Sequence, residues 1–181
     1  VEQLGVNVLL VVGDAFGRPL VEELERGGHE TSSLLALVSG GAALSAGVKE
    51  RLLRAVPTMM ILDGLGASET GAQAYQTTAA GQDTSTGTFS PGPGMVILSE
   101  ALDRRLEPGH EDLGWLGQAG RVPLGYLGDP SKTARTFPVI DGVRYSVPGD
   151  RARLRADGTL ELLGRDSVTI NSGGEKIFAE E

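Results

Sequence analysis

The first third of the chain alternates between apolar runs and amphipathic stretches. Residues 6–12, 34–38 and 59–62 are near-continuous apolar runs. Runs of this kind are typical of strands that are covered on both faces. The pattern therefore predicts three buried strands in this region.

Two amphipathic stretches separate these runs. Pro19 is expected to begin a helix that Gly27-Gly28 ends, since proline suits the first turn of a helix. A second helix is predicted from about residue 45 to residue 55, with Ser45 as its N-cap. Its apolar stripe consists of Val48, Leu52 and Val56. The order β-α-β-α-β predicts an α/β fold with a parallel sheet.

The pattern changes after about residue 72. Residues 76–94 are rich in threonine, serine, glycine and proline, and short strand patterns with intervening turns follow. These patterns cover residues 95–98, 120–122, 143–147, 152–154 and 159–162. They predict a small antiparallel β subdomain. We expect an α/β part over residues 1–85, the β subdomain over 86–164, and the start of another domain over 165–181.

Two of the predicted strands lead into glycine-rich turns. Ser39-Gly40-Gly41-Ala42 follows the second strand, and Asp63-Gly64-Leu65-Gly66 follows the third. Open α/β sheets bind ligands outside the carboxyl ends of their strands, so both turns are expected to face one crevice. Ser68 and Glu69 come next and offer a hydroxyl and a carboxylate to a phosphate and its metal. By itself, a glycine-rich turn after a strand is a weak indication of a nucleotide site.

Composition and charge narrow the function classes. The chain has 181 residues, 40% of them hydrophobic, and a formal net charge of −8, which argues against non-specific nucleic-acid binding. The absence of cysteine excludes a disulfide framework and a thiolate metal site. No apolar run approaches the ~18 residues of a membrane-spanning helix. His29 and His110 lie among turn residues and are interpreted as surface residues, not as catalytic bases.

Four further segments follow the glycine-rich turns in a fixed order. They are Gly125-Tyr126-Leu127-Gly128-Asp129-Pro130, Tyr145-Ser146-Val147-Pro148-Gly149-Asp150, Gly164-Arg165-Asp166 and Gly173-Gly174-Glu175-Lys176-Ile177. Together the segments resemble those of the adenylate-forming enzymes, which include acyl-CoA synthetases, luciferases and the adenylation domains of peptide synthetases. The last segments look most like those of actinobacterial fatty-acid and steroid side-chain CoA ligases. The resemblance covers essentially the whole chain.

The resemblance implies an enzyme that activates carboxylic acids. Such enzymes use ATP and magnesium to form an acyl-adenylate and pyrophosphate, after which a thiol, usually that of coenzyme A, displaces AMP. Positioning and charge stabilisation carry this chemistry. The chain would hold part of the large N-terminal adenylation domain and the start of the C-terminal domain. The protein would be cytoplasmic, with neither a spanning segment nor a nucleic-acid partner; a homodimer and peripheral attachment to a membrane stay open.

The resemblance also implies roles for individual residues. Those expected at the nucleotide are Gly40, Gly41, Ala42, Asp63, Gly64, Leu65, Gly66, Ser68, Asp150 and Arg165. Ser68, Glu69 and Arg165 are the expected catalytic residues. Ser68 would hold the α-phosphate, Glu69 would ligate magnesium, and Arg165 would reach the ribose or a phosphate. Asp150 would accept hydrogen bonds from both ribose hydroxyls, which suits a carboxylate.

The base and the thiol step complete these implied roles. Residues 40–42 would form one wall of the adenine slot, with Asp63 and Gly64 at its edge and Leu65 on the opposite face. The family usually has an aromatic residue at the Leu65 position, so this contact would lack a π face. Asp166 would be the hinge of the C-terminal domain, and Gly173-Gly174 would line the coenzyme A tunnel. Tyr126 and Phe137 are interpreted as core residues of the β subdomain.

The ends of the chain predict a fragment of a longer protein. The chain starts at Val1 without a methionine and stops in what looks like the opening of a helix. The phosphate-binding loop and the C-terminal lysine of the family are not in the sequence, so the fragment alone is expected to be inactive. Two alternatives stay open. The acyl group could pass to a carrier-protein thiol, or the chain could be a non-catalytic binding domain that keeps the fold.

Overall fold

The computed structural model of the chain describes residues 1–166, 170–172 and 175–177. These residues form two compact units. The first unit contains residues 1–65 and 75–86, and the second contains residues 66–74 and the described residues from 87 onward. Gly173 and Gly174, the predicted loop of the coenzyme A tunnel, lie outside the described residues.

Parallel strands and two helices build most of the first unit. The strands are β1 (Val8–Val11), β2 (Ala36–Gly40) and β3 (Met60–Ala67), and the helices are α1 (Gly13–Arg26) and α2 (Ala46–Ala55). A short 3₁₀ helix, Glu2–Leu4, precedes β1. β2 pairs in parallel with β1 and with β3. The predicted order β-α-β-α-β and the parallel sheet are therefore confirmed.

Both helices cover the same face of these strands. Val11, Leu37 and Ile61 share a buried cluster with residues of α1 and α2. Side chains alternate along a strand, and on the opposite face Val8 and Leu10 are 50% and 75% exposed. The prediction that the first strand is covered on both faces is therefore wrong for this unit, because α1 and α2 pack on one side.

Helix α1 begins earlier than the sequence predicts. It starts at Gly13, so Pro19 lies inside the helix and does not begin it. Contacts distant in sequence fix this start. The Asp14 amide donates to the Ala43 carbonyl oxygen at 3.0 Å, and the Asp14 carboxylate accepts from the Ser45 amide at 2.7 Å. Pro19 is exposed, so water can bond the carbonyl oxygen that its ring leaves unpaired.

Helix α2 agrees with its prediction except at its cap. Val48, Leu52 and Val56 are buried, which confirms the apolar stripe. Ser45 occupies the N-cap position, but its side chain makes no capping hydrogen bond. The Ser45 amide instead ties the start of α2 to the start of α1 through Asp14.

The glycine-rich stretch after residue 62 is a strand and not a loop. β3 runs on to Ala67, and a turn at residues 68–70 leads into β4 (Gly71–Thr78), a strand that the sequence did not predict. Glycine and small residues are poor strand formers by composition. The pairing of Ser39 with Asp63 and of Gly40 with Gly64 keeps this stretch extended.

Thr70 and Gly66 shape the turn between β3 and β4. The Thr70 hydroxyl accepts a hydrogen bond from the Ala67 amide at 3.0 Å. A Cβ atom on Gly66 would lie 2.2 Å from the Gly71 carbonyl oxygen, which is too close for any other residue. Gly66 is therefore required by the packing of this turn, whatever else it contacts.

Antiparallel strands make up most of the second unit. They are β5 (Thr88–Pro91), β6 (Met95–Leu98), β7 (Arg105–Leu106), β8 (Gly114–Ala119), β9 (Val139–Ile140), β10 (Val143–Ser146), β11 (Asp150–Leu154) and β12 (Leu160–Arg165), with α3 (Pro130–Thr136) before β9. β8 pairs with β6, β10 and β11, and β12 pairs with β11 and β5. Beyond them, β13 (Ile170–Ser172) pairs with β14 (Glu175–Ile177). The predicted antiparallel β region is confirmed.

One predicted strand of this unit is misplaced. Residues 120–122 are not a strand, and the strand is β8, immediately before them. Gly114 and Gly117 lower the strand preference of β8, because glycine is depleted in strands. Both glycines make room for neighbouring side chains. A Cβ on Gly114 would lie 2.2 Å from Ile97 Cγ2, and one on Gly117 would lie 3.2 Å from Leu98 Cδ1.

Candidate nucleotide site

The carboxyl ends of β2 and β3 lie side by side in the first unit. Ser39 is opposite Asp63, and Gly40 is opposite Gly64. The sequence predicted that these glycine-rich ends meet, and the register confirms it as far as residue 64. Gly41 has a φ angle of 81°, a left-handed conformation that favours glycine and turns the chain away from β2.

The loop after β2 is held by the start of α1. The Gly13 amide donates to Ser39 Oγ at 3.3 Å. A Cβ on Gly13 would lie 2.5 Å from the Ala43 carbonyl oxygen, so the two backbones are in close contact. With the Asp14 contacts, this packing fixes the exposed segment that includes Gly41 and Ala42. The loop that is expected to form one wall of the adenine slot is therefore held in place by the start of α1.

The fold does not require a glycine at position 64. Gly64 is exposed, its φ angle is ordinary, and the nearest atom to a Cβ built on it is the Ser39 carbonyl oxygen at 3.6 Å, a normal contact. A Cβ atom would therefore fit the fold here. The bare backbone leaves open space at the carboxyl end of β3, which suits the close approach of a flat ligand.

Asp63 is paired with a buried lysine that the sequence analysis did not single out. Lys49 of α2 is fully buried, and its Nζ atom contacts Asp63 Oδ2 in an ion pair. Burial raises the pKa of Asp63, and the Lys49 ammonium opposes this rise. The signal was present in the sequence. Lys49 precedes Leu52 and Leu53 by three and four residues, which places it on the apolar face of the helix.

Glu69 lies in the turn between β3 and β4 in the second unit and contacts Tyr126. The Tyr126 hydroxyl donates to Glu69 Oε1 at 2.5 Å. This hydrogen bond holds the pKa of Glu69 below its ordinary value, although burial acts in the opposite direction. Glu69 is half-buried and ionised, while Ser68 beside it is exposed. Both side chains are thus available to a ligand.

Tyr126 is held in place by α3 and its N-cap. The Tyr126 amide donates to Thr133 Oγ1 at 2.9 Å. Asp129 caps α3 by accepting from the Lys132 amide at 2.8 Å, and Lys132 Nζ lies 4.0 Å from the centre of the Tyr126 ring. Phe137 is buried, as predicted, whereas Tyr126 is half-buried with its hydroxyl on Glu69. The Asp-Pro pair that starts α3 was the missed signal for this helix.

Asp150 and Arg165 face each other on β11 and β12. They are paired in the antiparallel register, and Arg165 Nε lies 3.2 Å from Asp150 Oδ1. Burial raises the pKa of Asp150, the Arg165 guanidinium opposes this, and the charge of Glu69 adds to it. Asp166, the predicted hinge, donates its amide to the Gly149 carbonyl oxygen at 3.0 Å. Asp150, Arg165 and Glu69 therefore belong to one electrostatic group in the second unit.

Beside the group formed by Asp150, Arg165 and Glu69, the described residues bear on the predictions for metal ligands, membrane spans and histidines. In the part of the chain that the structure describes, no cluster of three or more histidine, cysteine, aspartate or glutamate residues could hold a metal ion. None of its helices is long and apolar enough to cross a membrane. His29 is exposed, as predicted. His110 is half-buried instead, and its Nε2 accepts from the Leu154 amide at 3.2 Å, which gives it a structural role.

Curated proteins similar to the chain are CoA ligases. The chain is 57% identical over 181 residues to the medium-chain acyl-CoA ligase Mig of Mycobacterium avium. The match covers 100% of the chain and 33% of that protein. It is 42% identical over 177 residues to the medium/long-chain-fatty-acid–CoA/3-oxocholest-4-en-26-oate–CoA ligase of Mycobacterium marinum, covering 97% of the chain and 32% of that protein. The chain thus spans about a third of the length of the curated relatives it matches.

Solved structures share the fold at lower identity. The nonribosomal peptide synthetase FmoA3 matches with a TM-score of 0.77 and 24% identity over 92% of this chain and 19% of that chain. Klebsiella oxytoca NpsA, in complex with 3-hydroxyanthranilyl-AMSN, matches with a TM-score of 0.75 and 25% identity over 98% of this chain and 37% of that chain. No protein-family model matches the chain. The fold and the sequence relatives lead to one conclusion: the chain belongs to the adenylate-forming family and, within it, to the acyl-CoA ligases.

Proposed function

We propose that the chain is part of an AMP-forming ligase that activates a carboxylic acid with ATP and transfers the acyl group to coenzyme A. The observation that carries this proposal is the 57% identity to an acyl-CoA ligase along the entire chain. Glu69, Asp150 and Arg165 are all present at the motif positions and lie in one charged group, which supports a working site over a non-catalytic domain.

In the second unit, Asp150 and Arg165 act on the ribose and phosphate. Asp150 is buried and paired with Arg165, so the guanidinium favours the ionised carboxylate against burial. An ionised carboxylate accepts hydrogen bonds from both ribose hydroxyls. Arg165 is nearly half exposed, at 47% of its side chain, and supplies positive charge to the ribose or α-phosphate. Ser68, which is exposed in the turn beside Glu69, donates its hydroxyl to the α-phosphate.

Glu69 fits the role of a magnesium ligand. Magnesium is commonly held by one or two carboxylates, with phosphate oxygens and water completing the shell. Tyr126 occupies Oε1 of Glu69, and the lowered pKa of this carboxyl keeps it charged. A bound magnesium ion would neutralise charge on the phosphates. The protein's own part is to present an oriented carboxylate, which Tyr126 fixes by its hydrogen bond.

In the first unit, the ends of β2 and β3 receive the adenine base. Gly40, Gly41 and Ala42 form one wall, Asp63 and Gly64 border the edge, and Leu65 contacts the opposite face. The space above Gly64 supports this assignment, since the fold does not require a glycine there. Leu65 supplies apolar contact without aromatic stacking.

Substrate, acceptor and cellular setting are part of the same proposal. The relatives are named for medium- and long-chain fatty acids and for 3-oxocholest-4-en-26-oate, so we propose an apolar carboxylic acid as substrate. Asp166 acts as the hinge for the thiol step, and Gly173 and Gly174 line the coenzyme A tunnel. The enzyme is cytoplasmic. Size-exclusion chromatography tests a homodimer, and vesicle sedimentation tests peripheral membrane attachment.

The test of the proposed function uses the full-length protein. It would be incubated with ATP, magnesium and a panel of medium- and long-chain fatty acids and steroid side-chain acids, with coenzyme A, with a carrier protein, or with neither. Mass spectrometry should detect acyl-adenylate without an acceptor and acyl-CoA with coenzyme A. Transfer to the carrier protein alone would reassign the acceptor. No adenylate with any acid would contradict the proposal.

Gly64→Val in the full-length protein tests the proposed base site. Gly64 is exposed and a Cβ atom there makes only a normal contact, so the free energy of unfolding should change by about 0.5 kcal/mol or less. The KM for ATP should rise about tenfold or more, because the branched side chain fills the space proposed for the base. Steady-state kinetics and thermal unfolding measure both effects.

Gly66→Ala provides the contrasting variant. Its Cβ would lie 2.2 Å from the Gly71 carbonyl oxygen, so this change should lower stability. A Gly64→Val enzyme with a normal KM for ATP would remove the base from the end of β3.

A further inference from the structure

A buried lysine that the proposed mechanism does not use lies beside Asp63. The Lys49 ammonium contacts Asp63 Oδ2, donates to Gln76 Oε1 at 3.0 Å and reaches the Ser85 carbonyl oxygen at 3.4 Å. These contacts engage all three N–H donors of the ammonium. Lys49 therefore has a fixed position and leaves no donor for solvent or for a ligand.

Asp63 is held from one side only. Its Oδ2 atom is buried against the Lys49 ammonium, which leaves Oδ1 as the second acceptor of the carboxylate. The side chain keeps 11% of its surface exposed at the carboxyl end of β3, next to the open backbone of Gly64. Because each carboxylate oxygen can accept, Oδ1 can take a donor from a ligand.

We propose that Lys49 is a positioning residue that directs Asp63 Oδ1 at the exocyclic amine of adenine and thereby makes the site reject guanine. Adenine carries an amine at C6 that donates hydrogen bonds, whereas guanine carries a carbonyl oxygen there that only accepts. A carboxylate attracts the first group and repels the second. This inference rests on the proposed function and adds the basis of its purine selectivity.

A role in stability alone explains the Lys49–Asp63 ion pair less well than a role in base recognition. A buried ion pair contributes little net stability compared with apolar residues of similar size. Lys49 stands on the apolar face of α2, where a leucine or methionine would pack without a charge to neutralise. The pair holds a carboxylate in one orientation at an exposed strand end, and that orientation is what base recognition needs.

The test compares four variants of the full-length protein. Lys49→Met removes the ammonium, Asp63→Asn removes the carboxylate charge, and the double variant removes both. Arg54→Met is the matched control, since Arg54 forms an exposed ion pair with Glu50 on the same helix. For each protein, adenylate formation is measured with ATP and with GTP, and kcat and KM are determined separately. Thermal unfolding is recorded alongside.

The wild-type protein should prefer ATP over GTP. Asp63→Asn should lower the ratio of the two kcat/KM values by about tenfold to hundredfold, the range for one hydrogen bond to a charged group. Lys49→Met should lower it about tenfold or more, chiefly through a higher KM for ATP. The double variant should match Asp63→Asn alone, because Lys49 acts only through Asp63. Arg54→Met should match the wild type.

Each other outcome overturns the inference. A Lys49→Met protein that is less stable but keeps the ATP-to-GTP ratio shows a structural lysine. A ratio that falls further in the double variant than in Asp63→Asn shows that Lys49 does not act through Asp63. When Lys49→Met or Asp63→Asn alone does not fold, the double variant, which buries no charge, is compared with the wild type, and an unchanged ATP-to-GTP ratio overturns the inference. A wild-type protein that forms no adenylate overturns the proposed function instead.

Discussion

Asp150→Ala in the full-length protein is expected to reduce kcat/KM for ATP by about two orders of magnitude or more. Asp150 is buried, paired with Arg165, and proposed to accept hydrogen bonds from both ribose hydroxyls. A hydrogen bond to a charged group is worth about 1.5–3 kcal/mol, so losing two accounts for an effect of this size. Steady-state kinetics with the ATP concentration varied would measure it.

Asp157→Ala is the matched control for this prediction. Asp157 is also a carboxylate of the second unit, but it is exposed in the turn between β11 and β12 and bonds the Thr159 amide at 2.9 Å. Its replacement should leave the ATP kinetics unchanged. Near-normal kcat/KM for ATP in Asp150→Ala would show that Asp150 is only a residue of the turn after Gly149.

In the first unit, the sequence predicts those elements whose apolar residues recur at regular spacing within a short segment. The stripe of α2 and the three parallel strands follow from apolar spacing, which the chain encodes within a few residues. The start of α1 does not, because the contacts of Asp14 with Ala43 and Ser45 join positions about 30 residues apart. Pro19 suggested a later start because local preference was the only information available.

Glycine accounts for the errors in the β strands. Gly64 and Gly66 led to the prediction of a turn at the end of β3, and Gly114 and Gly117 lower the strand preference of β8. In each case glycine serves a close approach across the sheet or leaves room beside it, as the contacts of Gly66 and Gly114 demonstrate. Composition alone cannot distinguish such a glycine from one in a turn, because the neighbour that requires it is distant in sequence.

The candidate site could be predicted only in part for a related reason. Motif residues such as Glu69 and Asp150 are recognisable from their sequence context. The residues that contact the site carboxylates are not recognisable in this way. Lys49 lies 14 positions from Asp63, and Tyr126 lies 57 positions from Glu69. The sequence predicts Tyr126 in the core, because an aromatic residue in a β region usually packs there. Its hydroxyl contact depends on how α3 presents it, and that helix was not predicted.

Glu69→Gln is expected to have the other large effect. Glutamine keeps the shape of the side chain but removes the charge that a magnesium ion needs from a carboxylate. Adenylate formation should need at least about a hundredfold more magnesium, since loss of a ligand should exceed the 10–100-fold typical of losing a group that only orients one. Circular dichroism should show an unchanged fold. Equilibrium dialysis of ATP with and without magnesium gives a second readout that does not depend on turnover.

Tyr126→Phe separates the charge of Glu69 from its orientation. This change removes the hydrogen bond to Oε1 and leaves the carboxylate and the packing on Phe137 in place. The magnesium requirement should rise about tenfold, less than in Glu69→Gln, because groups that orient a metal ligand affect affinity by 10–100-fold. Equal effects of the two changes would mean that orientation, and not charge, decides metal use. If Glu69→Gln matched the wild type at every magnesium concentration, Glu69 would not be the metal ligand, and Tyr126 would serve the packing of the turn alone.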